Sequence, residues 1–332
     1  MKIVVFGPDK RIGVLKEDQV IDIAAAYAKY LGETDGKGQS GDVPSDLGQF
    51  IEGGDRTLEC AQKTLDYLFG DAADQNGADG ASVIFAATDT QLHAPIAERG
   101  RIACAGGNFA DHAAAMAARS GGEVQTFEGD ARQHIRDTGI WGFWKVLREY
   151  VGPGGEVVYP KRCKRLDYEG EMAIVLGKQG KDIPESEIKN YIWGVTLLGD
   201  WSARMTVEPG PLKFGLQKNF DGSCSIGPCI VVGEVDPFDA MVETLVNGER
   251  RQYFNNGDMV FSFGEYLEHL SRDFTFYPGD MISGGTAAGT AADSAPLDDD
   301  GIPINDTFLN PGDTVEIRSP GIGSLSASIV SA

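Results

Sequence analysis

The chain is short of positive charge and of any stretch that would gather it. Its 29 Lys and Arg face 50 Asp and Glu, a formal net charge of −21, and no segment is Lys/Arg-rich. That balance repels phosphate backbones and anionic membrane surfaces, so neither nucleic acid nor membrane is expected as a partner. Cysteine is scarce too. Cys60, Cys104, Cys163, Cys224 and Cys229 are odd in number and free of C-x-x-C spacing, which argues against a disulfide framework or a zinc site and for a reducing compartment. No apolar run approaches the roughly 18 residues that span a bilayer. The opening MKIVVFGPDKRIGVL goes straight into strand-like alternation, without the basic, apolar and cleavage segments of a leader, so the expected location is cytoplasmic. A P-loop, a G-x-S-x-G elbow, an H-E-x-x-H pair and a dinucleotide fingerprint are also missing.

What is present is an ordinary globular composition, 332 residues with 42% hydrophobic and 24% charged, ample for a core. Residues 1–98 read as a small α/β accessory unit. KIVVFG, RIGVLKEDQVIDI and SVIFAA are short strands, the second turning at Glu17–Asp18, and TLECAQKTLDYLFG carries apolar residues at helical spacing. LGETDGKGQSGDVPSD between them is polar and Gly-rich, a surface loop. Residues 99–332 change to short β-type runs punctuated by Gly and Pro (EVVYP, EMAIVLG, YIWGVTLLGD, CIVVGEV, ETLVNGE, DMISGG, DTVEIRS), with helical pattern in DHAAAMAARS and FGEYLEHLSR. Regular strand–helix alternation is missing, so the expected class is α+β, mostly β, and not a doubly wound sheet.

The stretch LDYEGEMAIVLG raises the chemical question. In a strand, Glu169 and Glu171 share one face with Ala173 and Val175, while Tyr168, Met172, Ile174 and Leu176 share the other. Both faces are otherwise apolar, as in a strand covered on two sides, which sets the glutamates at a core edge or in a cleft. Two carboxylates converging to about 4 Å repel by on the order of 4 kcal/mol at an effective dielectric near 20. A shared proton, a basic side chain or a divalent cation must offset that. Asp200, ending the run YIWGVTLLGD, is a third candidate ligand for a hard cation such as Mg²⁺. The plainer alternative is an exposed strand end and a turn-capping aspartate. His112, in the first turn of an Ala-rich helix after a Gly-rich turn, is either a general base or a helix-surface histidine with Asp111 or Asn108 capping. Arg204 and Lys218 either bind a substrate carboxylate or snorkel over the core. ISGGTAAGTA, containing Gly285 and Thr286, resembles a backbone loop for anions.

Taken in order, ACAGGNFADHAAAM, LREYVGPGGEVVYP, LDYEGEMAIVLG through LLGDWSAR, QKNFDGSCSIGPCIV, YPGDMISGGTAAG and LNPGDTVEI resemble the fumarylacetoacetate hydrolase superfamily across roughly residues 100–330. The resemblance implies a mixed β-roll, a homodimer, and a divalent metal on Glu169, Glu171 and Asp200, normally Mg²⁺ and in some members Mn²⁺ or Ca²⁺. It assigns Lys218 to the active-site lysine, Arg204 to the arginine after the aspartate ligand, Gly285 and Thr286 to the substrate loop, and His112 to the histidine that activates water. The implied activity is metal-dependent hydrolysis of a C–C bond in a 2,4-dioxo acid of the acylpyruvate type, through an enolate. A decarboxylase, isomerase, hydratase or lyase acting on a 2-oxo diacid is the alternative on the same site, and a binding protein without turnover is a third reading. Three departures stand out. Many short members carry a glutamate three residues after the histidine, where this chain has Ala115; Glu123 or Glu128 is the expected replacement. The family's Pro-Pro after F-x-K is missing, and a glutamine three residues past the arginine is replaced by Val207.

Overall fold

The computed structural model describes residues 1–34, 38–39, 41–118, 129–206, 214–296, 298, 304 and 307–332. These residues form a strand-rich mixed α/β structure with an 11-stranded sheet, a five-stranded sheet and a two-stranded ribbon. Through the middle of the large sheet run Lys2–Phe6, Cys224–Val231, Ile192–Asp200, Gly170–Leu176, Met281–Ser283 and Ile102–Ala105 in that spatial order. Neighbours along it are antiparallel, except that Met281–Ser283 lies parallel to Ile102–Ala105.

Gly170–Leu176 is buried along its whole length, and its alternation sorts its side chains between two cores. Met172, Ile174 and Leu176 enter one, with Phe109, Val195, Phe263 and Ile282; Ala173 and Val175 enter the other, with Ile3, Ile102 and Ile226. A strand apolar on both faces is thus covered on both faces. The helix expected around TLECAQKTLDYLFG spans Gly54–Gly70 and buries Thr57, Ala61, Thr64, Leu65 and Leu68, one stripe at spacings of three and four. The turn at Glu17–Asp18 joins Arg11–Lys16 to Gln19–Asp22 with Glu17 at φ 54°. The strands within 1–98 continue the large sheet, because Lys2 and Ile3 pair with Val231 and Ile230.

The topology brings several chain ends to one edge of the large sheet. Gly170–Leu176 begins there, its antiparallel neighbour ends there with Gly199 opposite Gly170, and the two parallel strands run out toward it. His112 follows one parallel strand, on helix Ala110–Ala118; Gly285 and Thr286 follow the other. Asp280 clamps the starts of this parallel pair. Its Oδ1 accepts from the Arg101 backbone N–H at 2.9 Å and from Nε at 3.1 Å, and its Oδ2 accepts from Arg101 Nη2 at 2.5 Å and the Tyr277 N–H at 2.8 Å. The guanidinium also rests 4.6 Å from the Phe274 ring centroid. Replacing Asp280 by Ala leaves Arg101 and two backbone donors without their acceptor. The variant should lose about 2–3 kcal/mol in urea unfolding, and an unchanged midpoint would refute the clamp.

Candidate functional site

Glu169, Glu171 and Asp200 each offer a carboxylate oxygen within 4.8 Å of the others, and all three are buried. Glu169 lies in the crossing between Cys163–Asp167 and Gly170–Leu176, its carbonyl accepting the Asp200 N–H at 2.9 Å. Gly170 between the glutamates is required by packing: a Cβ there would land on Thr244 of the five-stranded sheet. Its N–H is taken by Gln252 Oε1 at 3.0 Å and its carbonyl by the Thr286 hydroxyl at 2.9 Å.

Three cations are interleaved with the acids. Lys218 Nζ donates to Glu169 Oε2 at 2.5 Å, Asp200 Oδ2 at 2.7 Å and Ser202 Oγ at 2.7 Å. Lys145 Nζ donates to Asp200 Oδ1 at 2.5 Å and to the carbonyls of Lys218 and Ser223 at 2.6 and 2.9 Å. Each ammonium thereby uses its three protons. Arg204 donates from Nε to Asp167 Oδ2 at 2.8 Å and from Nη2 to Glu169. Asp167 is a fourth buried acid, also accepting the N–H groups of Ala291 at 2.7 Å and Ala292 at 3.1 Å, at the start of helix Ala291–Ser294. Glu171 receives a hydrogen bond from Ser283 Oγ and, among the described residues, makes no ion pair.

The two glutamates consequently differ in acidity. Burial would raise Glu169, but the charges of Lys218 and Arg204 hold it well below the usual carboxylate range. Burial pushes Glu171 far up, and the negative charges of Asp200 and Glu169 push it further. Burial opposes charge on Lys218 and Arg204, yet the adjoining carboxylates carry both above their usual values. Three hard oxygen donors, one of them left without a cation, fit a divalent ion of the Mg²⁺, Mn²⁺ or Ca²⁺ type.

Glu169, Glu171, Lys218, Arg204, His112 and Thr286 line one cavity of about 290 Å³, with Asp200 fully buried beside it. Much of the remaining wall is apolar, from Met116, Ile135, Trp141, Phe143 and Phe214. Six of the expected residues thus line the cavity, while Asp200 and Gly285 do not. Gly285, at φ 87°, makes the loop before Thr286. The Thr286 hydroxyl, expected to face a ligand, donates to Gly170 O and accepts from Gln252 Nε2 at 2.8 Å. Asn108, one of two expected helix caps, instead ties the carbonyls of Phe261 and Gly284 together, both at 3.0 Å; Asp111 accepts the N–H of His112 at 2.7 Å.

Four contributors escaped the sequence reading. Asp167 continues the alternation of Glu169 and Glu171 in D-Y-E-G-E, a signal open to view. Lys145 ends the aromatic run WGFWK, an odd place for a charge unless it is paired. Ser283 gave no signal. Asp293 Oδ2 lies 2.6 Å from His112 Nδ1, so a carboxylate does face the histidine, although position 115 is Ala. Glu123 and Glu128, like Val207, lie outside the described residues.

Two glutamates, a lysine, an arginine and a histidine thus converge on one cavity at the strand ends of a mixed sheet, and comparison with known proteins identifies the family. Residues 101–330 match the family model described as fumarylacetoacetate (FAA) hydrolase C-terminal, and the chain belongs to that family. It is 29% identical over 321 residues to oxaloacetate tautomerase YisK of Bacillus subtilis, covering 95% of this chain and 94% of that one. It is 29% identical to the mitochondrial oxaloacetate tautomerase Fahd2a of Rattus norvegicus over 290 residues, 87% of this chain and 80% of that one. The structure of the fumarylacetoacetate hydrolase of Exiguobacterium antarcticum superposes with TM-score 0.67 at 25% identity, covering 100% of both chains. No helix among the described residues is long and apolar enough to cross a membrane.

Because burial and its acidic neighbours raise Glu171 above the usual carboxylate range, a dication entering the site competes with a proton there. Mn²⁺ affinity should rise with pH, and calorimetry in buffers of different ionisation enthalpy should show proton release. Glu171→Ala should weaken Mn²⁺ binding by on the order of 100-fold or more; undiminished binding would remove Glu171 from the ligand set.

Proposed function

We propose that this protein is a divalent-metal-dependent enzyme that moves a proton at the carbon beside the ketone of a 2-oxo acid, with keto–enol tautomerisation as its turnover. The observation that carries the reading is the convergence of Glu169, Glu171, His112 and Lys218 on one cavity, which sets a base beside a place for a dication. Glu169, Glu171 and Asp200 would hold the ion, with Mg²⁺ the first candidate and Mn²⁺ or Ca²⁺ the alternatives. Bound there, it would supply Lewis-acid stabilisation of negative charge on the ketone oxygen. His112 takes the proton from the carbon, the C–H electron pair becomes the C=C bond of an enolate, and the proton is given to the enolate oxygen; the reverse direction returns it to carbon. Lys218 and Arg204 hold the carboxylates of Glu169 and Asp200 in place, and a dication bound there would draw the substrate carboxylate to that part of the cavity. Gly285 and Thr286 bound the substrate on its loop side. The two tautomerases of similar length support this reading, since both are named for oxaloacetate.

The apolar wall of Met116, Ile135, Trp141, Phe143 and Phe214 favours a second reading, hydrolysis of a 2,4-dioxo acid whose acyl group lies against it. His112 then takes a proton from water, and the oxygen bonds to the distal carbonyl carbon. The C–C bond breaks with its electron pair on the 2-oxo acid fragment, which leaves as an enolate and takes up the proton held by His112.

The test is the decay of enol absorbance of oxaloacetate and of acetylpyruvate with Mg²⁺ and with chelator, products being identified. Metal-dependent acceleration with oxaloacetate, and no cleavage product, is the expected result. Pyruvate and acetate from acetylpyruvate would establish the second reading, and decay at the buffer rate for both substrates would sink both. His112→Ala should lower kcat by on the order of 10²–10⁴-fold and leave Mn²⁺ binding within about threefold.

A further inference from the structure

Large apolar side chains left in solvent call for an explanation when they gather beside a site. Trp141 and Phe214 are 45% and 38% exposed, and both line the cavity that holds the acidic centre. Their rings meet edge to face at 5.5 Å, and Phe214 meets Phe143 in the same way at 5.1 Å. The Phe143 ring in turn lies 5.2 Å from Lys218 Nζ. Three rings therefore run without a break from the lysine at the acidic centre to the exposed indole.

Each ring is placed by its own element. Phe214 starts helix Phe214–Lys218 and stands one turn from Lys218, so the helix that delivers the ammonium also delivers a ring. Phe143 lies on strand Gly142–Lys145, opposite Cys104. The Trp141 carbonyl accepts the Gly106 N–H and the Tyr266 hydroxyl, both at 3.0 Å. A Cβ at Gly106 would lie 2.5 Å from the indole, so only glycine lets the ring rest there.

The wall is uneven in charge. Among the described residues its lysine and arginine side chains are Lys218 and Arg204, and these are already bound to Glu169, Asp200 and Asp167. Helix Ala131–Thr138 adds His134 and Thr138, both exposed, where an ion pair with a ligand is worth little. A second carboxylate laid against the three rings would lose water without gaining a cation. An aromatic group there gains apolar contact and edge-to-face partners.

Resting on the proposed proton transfer, we infer that Trp141, Phe143 and Phe214 determine specificity: they receive the group on C3 of the 2-oxo acid and select an aromatic or bulky apolar substituent over a second carboxylate. An arylpyruvate is the class that fits. Its C3–H bond is the one that gives up the proton, and the aryl group extends from that carbon onto the rings. Oxaloacetate carries a carboxylate at the same place and is turned over with lower kcat/KM.

The test uses ligands that share one head and carry nitrogen where C3 would be. N-phenyloxamate, oxamate and N-oxalylglycine present the same oxo-acid end with a phenyl group, a hydrogen and a carboxymethyl group behind it. Calorimetry on the Mg²⁺-loaded protein should find N-phenyloxamate at least about tenfold tighter than oxamate and N-oxalylglycine no tighter, with the phenyl preference reduced at least about fivefold by Trp141→Ala. Phe214→Arg sets a cation among the rings and should bring N-oxalylglycine ahead of N-phenyloxamate, a gain that a misfolded variant would not show. Turnover should follow the same order, with kcat/KM for phenylpyruvate at least about tenfold above that for oxaloacetate. Equal affinity for N-phenyloxamate and oxamate, or a higher kcat/KM for oxaloacetate, would overturn the inference; turnover of either acid would then leave the proton transfer standing. A phenyl preference in binding with no turnover of either acid would keep the subsite and overturn the proposed reaction.

Discussion

Four carboxylates, those of Asp167, Glu169, Glu171 and Asp200, are withdrawn from water at one edge of the main sheet, and the local structure is built around that cost. Isolated buried charges are prohibitive unless they are paired and hydrogen-bonded. Lys145, Lys218 and Arg204 answer three of the four by bridging, so Asp200 is shared between two lysines and Glu169 between a lysine and an arginine. The fourth, Glu171, has a serine hydroxyl and no ion pair among the described residues. Its repulsion from Asp200 and Glu169 is what makes the charge cluster a candidate cation site, because a proton or a metal would relieve the shortfall.

The same pairs connect pieces of chain distant in sequence. Lys145 carries its charge across to a strand end 55 residues later, and Asp167 ties Arg204 to the helix start at Ala291 and Ala292. These links are short and buried, so the ligand carboxylates and the residues around them cannot shift independently. The Arg101–Asp280 clamp acts at the opposite end of the parallel strand pair, leaving the ends that lead to His112 and Thr286 aimed at the same cavity.

What could be read from the sequence follows from how local the signal was. Period-two alternation in EMAIVLG predicts a strand covered on both faces, and Met172, Ile174 and Leu176 do part from Ala173 and Val175 into separate cores. A lone acid closing YIWGVTLLGD is odd for a buried strand, and Asp200 joins the glutamates. Pairings between remote segments left no such trace. Nothing local says that Asp293 meets His112, or that Lys2 and Ile3 would pair with Ile230 and Val231 and so build the first strand into the main sheet. Thr286 shows the intermediate case. Its place beside the cavity follows from the Gly-rich loop, but its hydroxyl is bound to Gly170 and Gln252, partners that only the folded chain brings near.

The strongly negative chain also constrains how an anionic substrate is held. At physiological ionic strength a surface charge is screened beyond about 8 Å, so the excess expressed in a net charge of −21 slows the approach of an oxo acid without deciding its fate in the cavity. Inside, each of the three nearby cations is already matched to a carboxylate, and the acids outnumber them. These side chains taken together therefore offer a substrate carboxylate no surplus of positive charge. A dication on Glu169, Glu171 and Asp200 reverses that sign, and it does so only at the end of the cavity where His112 stands. Electrostatics alone would then make anion binding conditional on the metal, leaving the apolar wall to receive the uncharged part of an anionic ligand.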